Sequence, residues 1–106
     1  MNDPPASSEG HYVLRLFVTG TTSRSQRAIA NMRKICEEQL GGQYDLEVID
    51  VYQNPEATRE LQVVATPTLV KVLPEPLRRI IGDLSDHDKV LAGLNLTPLI
   101  RQSQRL

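Results

Sequence analysis

The side chains that most often carry out chemistry in proteins are few and widely spaced in this sequence. Its 106 residues include one cysteine, Cys36, and two histidines, His11 and His87. One cysteine forms no internal disulfide, and neither histidine has another zinc ligand at the short spacing that zinc sites use. The sequence has no paired nucleophile and base and no glycine-rich phosphate loop. We therefore predict a protein that is not an enzyme and that uses no metal and no cofactor.

Cys36 stands in a run of apolar residues that recur at helical spacing, among them Met32, Ile35 and Leu40. Free cysteine is often buried as a small apolar residue, and we favour that interpretation. A redox sensor is the alternative. We interpret His11 and His87 as surface residues.

Residues 20–25, GTTSRS, precede this helical run and are rich in hydroxyl groups. A helix N-terminus can bind an anion, so this loop is a candidate anion site. Hydroxyl side chains in this position more often cap the helix, and we favour Ser23 or Ser25 as its N-cap.

Length and composition indicate one folded domain. Hydrophobic residues make up 40% and charged residues 24% of the chain, and the formal net charge is −1. This charge gives no general attraction to nucleic acid or to an anionic membrane. Residues 1–10 are polar and have no signal-peptide core, and no apolar run is long enough to cross a membrane. We predict a cytoplasmic domain at residues 11–100, with flexible tails at 1–10 and 101–106.

Apolar patterning gives the order of the elements that would position any site. Alternating or continuous runs of β-branched and apolar residues predict strands at 12–19, 46–51, 68–73 and 77–81. The first two strands flank a helix, so we expect them to be parallel, whereas the last two form an antiparallel hairpin.

Helical spacing predicts three helices, which end near residues 40, 63 and 94. Asn54 and Ser85 are the expected N-caps of the second and third, and Ala57, Leu61 and Val64 are expected to point inward from the second. The resulting β-α-β-α-β-β-α order is that of an α/β thioredoxin-like domain.

In a fold of this kind, a reactive thiolate would lie in the loop after the first strand, at the N-terminus of a helix. The chain has Thr21, Thr22, Ser23 and Arg24 there. Dithiol exchange is therefore excluded.

Residues 65–84, ATPTLVKVLPEPLRRIIGDL, form the most distinctive segment. Pro67 stands where thioredoxin-like folds place a cis-proline, and Pro74 and Pro76 force a turn. Arg78 and Arg79 fall on opposite faces of a strand. Unless something else covers that face, at least one arginine lies on the inner face of a central sheet, which indicates an interface with another copy or with an acidic partner.

Three blocks identify a family: YVLRLFVTG at 12–20, YDLEVIDVYQNP at 44–55, and ATPTLVKVLPEPLRRIIGDLSDHDKVLAGL at 65–94. Together they resemble the KaiB family of clock proteins over residues 12–97. The resemblance implies a non-enzymatic regulator that binds the N-terminal ring of the hexameric ATPase KaiC and modulates its phosphorylation and ATPase cycle in a circadian clock or hourglass-type timer. In full clocks the family also sequesters KaiA and displaces an output kinase.

On this resemblance we predict a KaiC-binding surface on the second helix and the strands that follow it. The residues assigned to it are Pro55, Glu56, Arg59, Ala65, Thr66, Arg78, Arg79 and Asp83.

The resemblance also implies metamorphism, in which the C-terminal half takes a second fold in a free tetramer, and a dimer is possible. Residues 89–91 and 94–96 fit either helix or strand, and Gly93 weakens a helix by about 1 kcal/mol relative to alanine. We therefore expect Gly93→Ala to raise the monomeric, binding-competent fraction. The residues assigned to the switch are Pro67, Pro74, Pro76, Gly93 and Asn95.

Three residues depart from the family pattern. Glu47 replaces an expected lysine, Gln62 an expected basic residue, and Asn95 an expected acidic one. The strand that holds Glu47 is where KaiA docks in the family, so KaiA is a doubtful partner. We expect a system without KaiA or a divergent paralogue, acting as a damped timer or in stress adaptation. The alternatives are a stress-linked partner other than KaiC and a thioredoxin-like redox function.

Overall fold

The structure is a computed structural model, and it describes residues 11–94. Its elements confirm the predicted order, and they run β1 (Tyr12–Val18), α1 (Ser23–Gln39), β2 (Tyr44–Asp50), α2 (Pro55–Glu60), β3 (Thr68–Leu73), β4 (Arg78–Ile81) and α3 (His87–Leu94). The predicted tails and Asn95 lie outside the described residues.

The four strands of this part of the chain form one sheet in the order β2-β1-β3-β4. β1 and β2 are parallel, and β3 is antiparallel to both β1 and β4. Both predictions of strand direction are confirmed. β4 is an edge strand of this sheet.

The main core lies between the sheet and the two longer helices. Alternate residues of β1, including Leu14, Leu16 and Val18, face α1 and α3, because successive side chains of a strand point to opposite faces. The residues that these helices bury against them are Ala28, Met32, Ile35, Cys36, Val90 and Leu94.

A smaller core lies on the opposite face. Phe17, Ile49 and Val70 are buried there, and Ala57 of α2 and Leu61, which directly follows α2, pack against them. Val64, which we expected to point inward with these two residues, is 89% exposed. The cause is the end of the helix: α2 stops at Glu60, and Gln62 takes a φ of 57°, which turns the chain away from the sheet.

The helix caps also differ from those predicted. Thr22, not Ser23 or Ser25, caps α1, and its hydroxyl accepts a hydrogen bond from the Ser25 N–H at 3.2 Å. At α3 the Asp86 carboxylate accepts the Lys89 N–H at 3.1 Å, so Asp86 takes the role predicted for Ser85. Asn54 holds the N-cap position of α2, but its side chain makes no capping bond.

Within residues 11–94, three X-Pro peptide bonds are cis. They include the predicted Thr66-Pro67 bond, together with Leu73-Pro74 and Glu75-Pro76 in the β3–β4 turn. Within residues 11–94, no helix combines the length and the apolar character that crossing a membrane would require.

Candidate interaction site

The loop after β1 is where a thioredoxin-like fold would carry a reactive thiolate, and here it is built from hydroxyl groups. The Thr19 hydroxyl is hydrogen-bonded to that of Thr66, which precedes the cis-proline. The Thr19 N–H donates to the Ser25 hydroxyl at 3.1 Å, and Ser25 itself is buried. These groups form hydrogen bonds to one another and to the start of α1. This arrangement favours helix capping over an anion site.

Cys36 is fully buried on α1, as predicted. Burial raises the pKa of its thiol to about 12; the nearby Arg33 charge opposes this shift and Glu37 adds to it. A thiol with this pKa stays protonated at neutral pH, and the thiolate is the reactive form. The geometry therefore favours an inert apolar role over a redox sensor.

The residues assigned to partner binding lie at three positions: two groups on either side of β4, and a pair in the loop that leads into β3. Pro55, Glu56 and Arg59 are exposed on α2. Arg79 joins this group, because its Nε donates to the Leu61 carbonyl at 3.1 Å, just after α2. Glu56 and Arg59, with Glu60, also line an open depression of about 460 Å³ on the surface of α2.

The second group lies on the face of the sheet covered by α1 and α3. Arg78 is opposite Lys71 in the β3–β4 register and is exposed. The Asp83 carboxylate lies 3.3 Å from the Arg27 guanidinium, and the Asp83 carbonyl accepts Asn31 Nδ2 at 2.8 Å. Hydrogen bonds from Ser85 are the main cause that lowers the pKa of Asp83, with a smaller effect of Arg27. Asp83 thus ties the end of β4 to α1.

Ala65 and Thr66 lie at a third position, in the loop that leads into β3. Both are half-buried, and Ala65 accepts a hydrogen bond from the Thr68 hydroxyl through its carbonyl at 2.6 Å. The predicted residues therefore surround β4 and the start of β3, and they do not form one flat patch.

Sequence reasoning missed Lys71, which is 1% exposed in the interior of β3. Its Nζ donates to the Pro74 carbonyl at 2.7 Å, inside the β3–β4 turn. Burial, followed by the charge of Arg78, lowers the pKa of Lys71. A usable signal was present, since Lys71 lies two residues from Leu69 and therefore on the same, inward face of the strand.

The residues assigned to fold switching lie apart from one another. Pro67 is buried before β3, Pro74 and Pro76 are in the β3–β4 turn, and Gly93 is in the last turn of α3. A Cβ atom on Gly93 would lie 2.6 Å from Cδ1 of Ile80, so α3 and β4 approach closely at this glycine.

The fold and the site define a class: a thioredoxin-like domain whose thiol positions are occupied by hydroxyl residues. Solved structures agree with this class. The N-terminal domain of SasA from Synechococcus elongatus matches with a TM-score of 0.66 and 28% identity, over 80% of this chain and 84% of that one. Mitochondrial thioredoxin 3 from Saccharomyces cerevisiae matches with a TM-score of 0.65 and 17% identity, over 86% and 83%, which shows the fold alone.

Sequence relatives are more specific than the fold. The KaiB domain model matches residues 15–96. The circadian clock protein KaiB3 of Synechocystis sp. is 55% identical over 81% of this chain and 84% of its own length. The circadian clock oscillator protein KaiB of Microcystis aeruginosa is 55% identical over 80% and 82%. The chain belongs to the KaiB family, and the family predicted from the sequence is confirmed.

Proposed function

We propose that this chain is a non-enzymatic clock regulator that binds the hexameric ATPase KaiC and modulates its phosphorylation and ATPase cycle. Its relatives are named circadian clock proteins, which supports a role in timing. The structural observation that carries the proposal is the exposure of Arg78 and Arg79 on opposite faces of an edge strand. Neither has a carboxylate within ion-pair distance among residues 11–94.

The N-terminal domain of SasA from Synechococcus elongatus has the same fold at 28% identity. We propose Arg59 and Arg79 as contacts on the α2 side and Arg78 as a contact on the other face. Pro55, Glu56, Ala65, Thr66 and Asp83 complete the proposed surface.

KaiA remains a doubtful partner. Glu47 stands where the family resemblance leads us to expect a lysine, and its carboxylate lies 3.7 Å from Arg15 on β1. β2 therefore presents acidic rather than basic character at this position. We propose a system that runs without KaiA, as a damped timer or in stress adaptation. A KaiB-like protein with a different stress-linked partner is the alternative.

The test is co-elution of the full chain with its cognate KaiC in gel filtration, with ATP and with ADP. We expect a complex with wild-type protein and at least about tenfold weaker binding for Arg78→Glu/Arg79→Glu, because charge reversal at an interface affects both steering and pairing. Lys34→Glu is the matched control, since Lys34 is an exposed cation on α1 outside the proposed surface. No complex with wild-type protein would refute KaiC binding and favour another partner. Full binding by the double variant would remove both arginines from the interface.

A further inference from the structure

The outer edge of β4 carries backbone groups that no described strand pairs. The Gly82 N–H donates to the Pro67 carbonyl at 2.9 Å, which fixes the alternation of hydrogen bonds in the β3–β4 ladder. Residues Arg78 and Ile80 therefore direct their N–H and C=O groups toward β3, and Arg79 and Ile81 direct theirs outward. Within residues 11–94, β4 has β3 as its neighbour on one side and no strand on the other.

The side chains along this edge are basic on both faces. Arg79 shares its face with α2, and Arg78 lies on the face of α1 and α3 beside the buried Lys71. Among the described residues no carboxylate pairs with any of these three cations. A row of lysines or arginines on an edge strand discourages pairing with copies of the same chain.

Apolar side chains flank the two arginines. Ile81 is 61% exposed at one end of the strand, and Leu77 is 38% exposed at the other. Exposed isoleucine at a sheet edge with free backbone groups is a feature of strands that accept a partner. Basic and apolar side chains beside outward backbone groups favour a partner segment that contains both acidic and apolar residues.

We propose that the outer edge of β4 binds an extended acidic segment of a partner protein by strand addition. The segment's backbone would pair with the N–H and C=O groups of Arg79 and Ile81. Its carboxylates would pair with Arg78 and Arg79, one on each face of the sheet, and an apolar side chain would pack on Ile81. A second copy of this chain fits less well, because two β4 strands side by side bring four arginines together. The proposal does not depend on whether the partner is KaiC.

The probe is a peptide selected from a random decapeptide library displayed on phage, with the full chain immobilised. We expect enrichment of sequences in which acidic and apolar residues alternate, and no enrichment of basic ones. Hydrogen exchange read by NMR then locates the peptide. The amides of Arg79 and Ile81 should exchange at least about tenfold more slowly when the peptide is bound. The exchange of the Arg78 and Ile80 amides should change little, because these groups already pair with β3.

A pair of variants at Ile81 and one double variant of the arginines separate backbone pairing from charge. Ile81→Pro removes the outward N–H and leaves the β3 ladder intact. It should therefore weaken peptide binding by about tenfold, which is equivalent to the loss of about one hydrogen bond. Ile81→Ala keeps that N–H, so its affinity for the peptide should stay within about threefold of the wild-type value. The double variant Arg78→Gln/Arg79→Gln should weaken peptide binding by about tenfold or more at low salt, and by a smaller factor at high salt.

Three outcomes would overturn the proposal. One is a selected peptide without acidic residues. Another is a peptide that binds with unchanged exchange at Arg79 and Ile81, which is a test on the wild-type chain and does not depend on whether a variant folds. The third is slow exchange at these amides that grows with protein concentration in the absence of peptide, which would assign the edge to a second copy. Because the peptide assay contains no KaiC, its failure is distinct from a failure of KaiC binding.

Discussion

The two halves of this domain differ in how many residues their own helices and strands bury. In residues 12–50, the long helix α1 buries five residues, and β1 contributes buried residues to both faces of the sheet. In residues 55–94, α2 has six residues and buries none, β4 buries none, and α3 buries two. Within the second half, only β3 is mostly buried. The second half therefore depends on β3 pairing with β1, whereas the first is also stabilised by its own helix.

The largest expected effect comes from truncating the core of the first half. Met32 is fully buried on α1, and Met32→Ala should lower the free energy of unfolding by about 2–5 kcal/mol, because it removes apolar contacts and leaves a cavity. The matched change in the second half is Leu61→Ala, at a half-buried residue beside α2, and it should cost about 1 kcal/mol. Urea unfolding followed by circular dichroism measures both. Equal losses would show that the smaller core contributes as much as the main one.

The same contrast explains how far the sequence predicted the fold. The β1-α1-β2 unit carries strong local signals, such as the alternation of β1 and the apolar stripe of α1, and these were sufficient. The end of α2 was predicted about three residues too late, because the left-handed turn at Gln62 has no glycine to mark it. Val64 was consequently placed inside and is in fact exposed.

The candidate site was predicted in part. The placement of Arg78 and Arg79 on opposite faces follows from strand periodicity, and the pairing confirms it. Their position at the edge of the sheet was missed, because edge and central positions depend on strand order, which is set by long-range pairing. The burial of Lys71 could have been predicted from its position on the inward face of β3, but its contact with the Pro74 carbonyl depends on the path of the β3–β4 turn, which the sequence does not indicate.

Gly93→Ala tests the weaker half directly. Alanine favours helix over glycine by about 1 kcal/mol, but its Cβ would meet Cδ1 of Ile80, at 2.6 Å in this structure. Moving that terminal methyl group costs about 0.5–1.5 kcal/mol, so Gly93→Ala alone should change the stability of this fold by no more than about 0.5 kcal/mol in either direction.

The control is the same substitution in an Ile80→Val background, which lacks Cδ1. There, only the 3.1 Å approach to Cγ1 remains, so alanine should stabilise by more than in the wild-type background and by at most about 1 kcal/mol. Gel filtration should then show a larger monomeric fraction if a second, tetrameric fold competes. An identical effect of Gly93→Ala in both backgrounds would mean that Ile80 does not limit the approach of α3. The second fold itself remains a prediction from the family resemblance.

The smallest effects at neutral pH come from the two buried titratable groups, one in each half. The pKa of Cys36 is raised from 9.0 to about 12, so the unfolded chain loses this proton first. Its contribution to stability is fully present below pH 9.0 and is lost progressively between 9.0 and about 12. Cys36→Ala removes this loss, so the stability of the variant should fall less steeply with pH over that range.

Lys71 should act in the opposite direction. Burial lowers its pKa from 10.5, so the folded chain releases this proton before the unfolded chain does. The stability therefore rises with pH between the lowered pKa and 10.5, and Lys71→Met, which keeps the apolar stem, should abolish that rise. Urea midpoints measured from pH 7 to 11 in the Cys36→Ala background isolate this effect, because the opposing contribution of the thiol is absent. A flat profile in that background would show that Lys71 reaches water in the folded chain, and that the β3–β4 turn opens more readily than its hydrogen bond to Pro74 indicates.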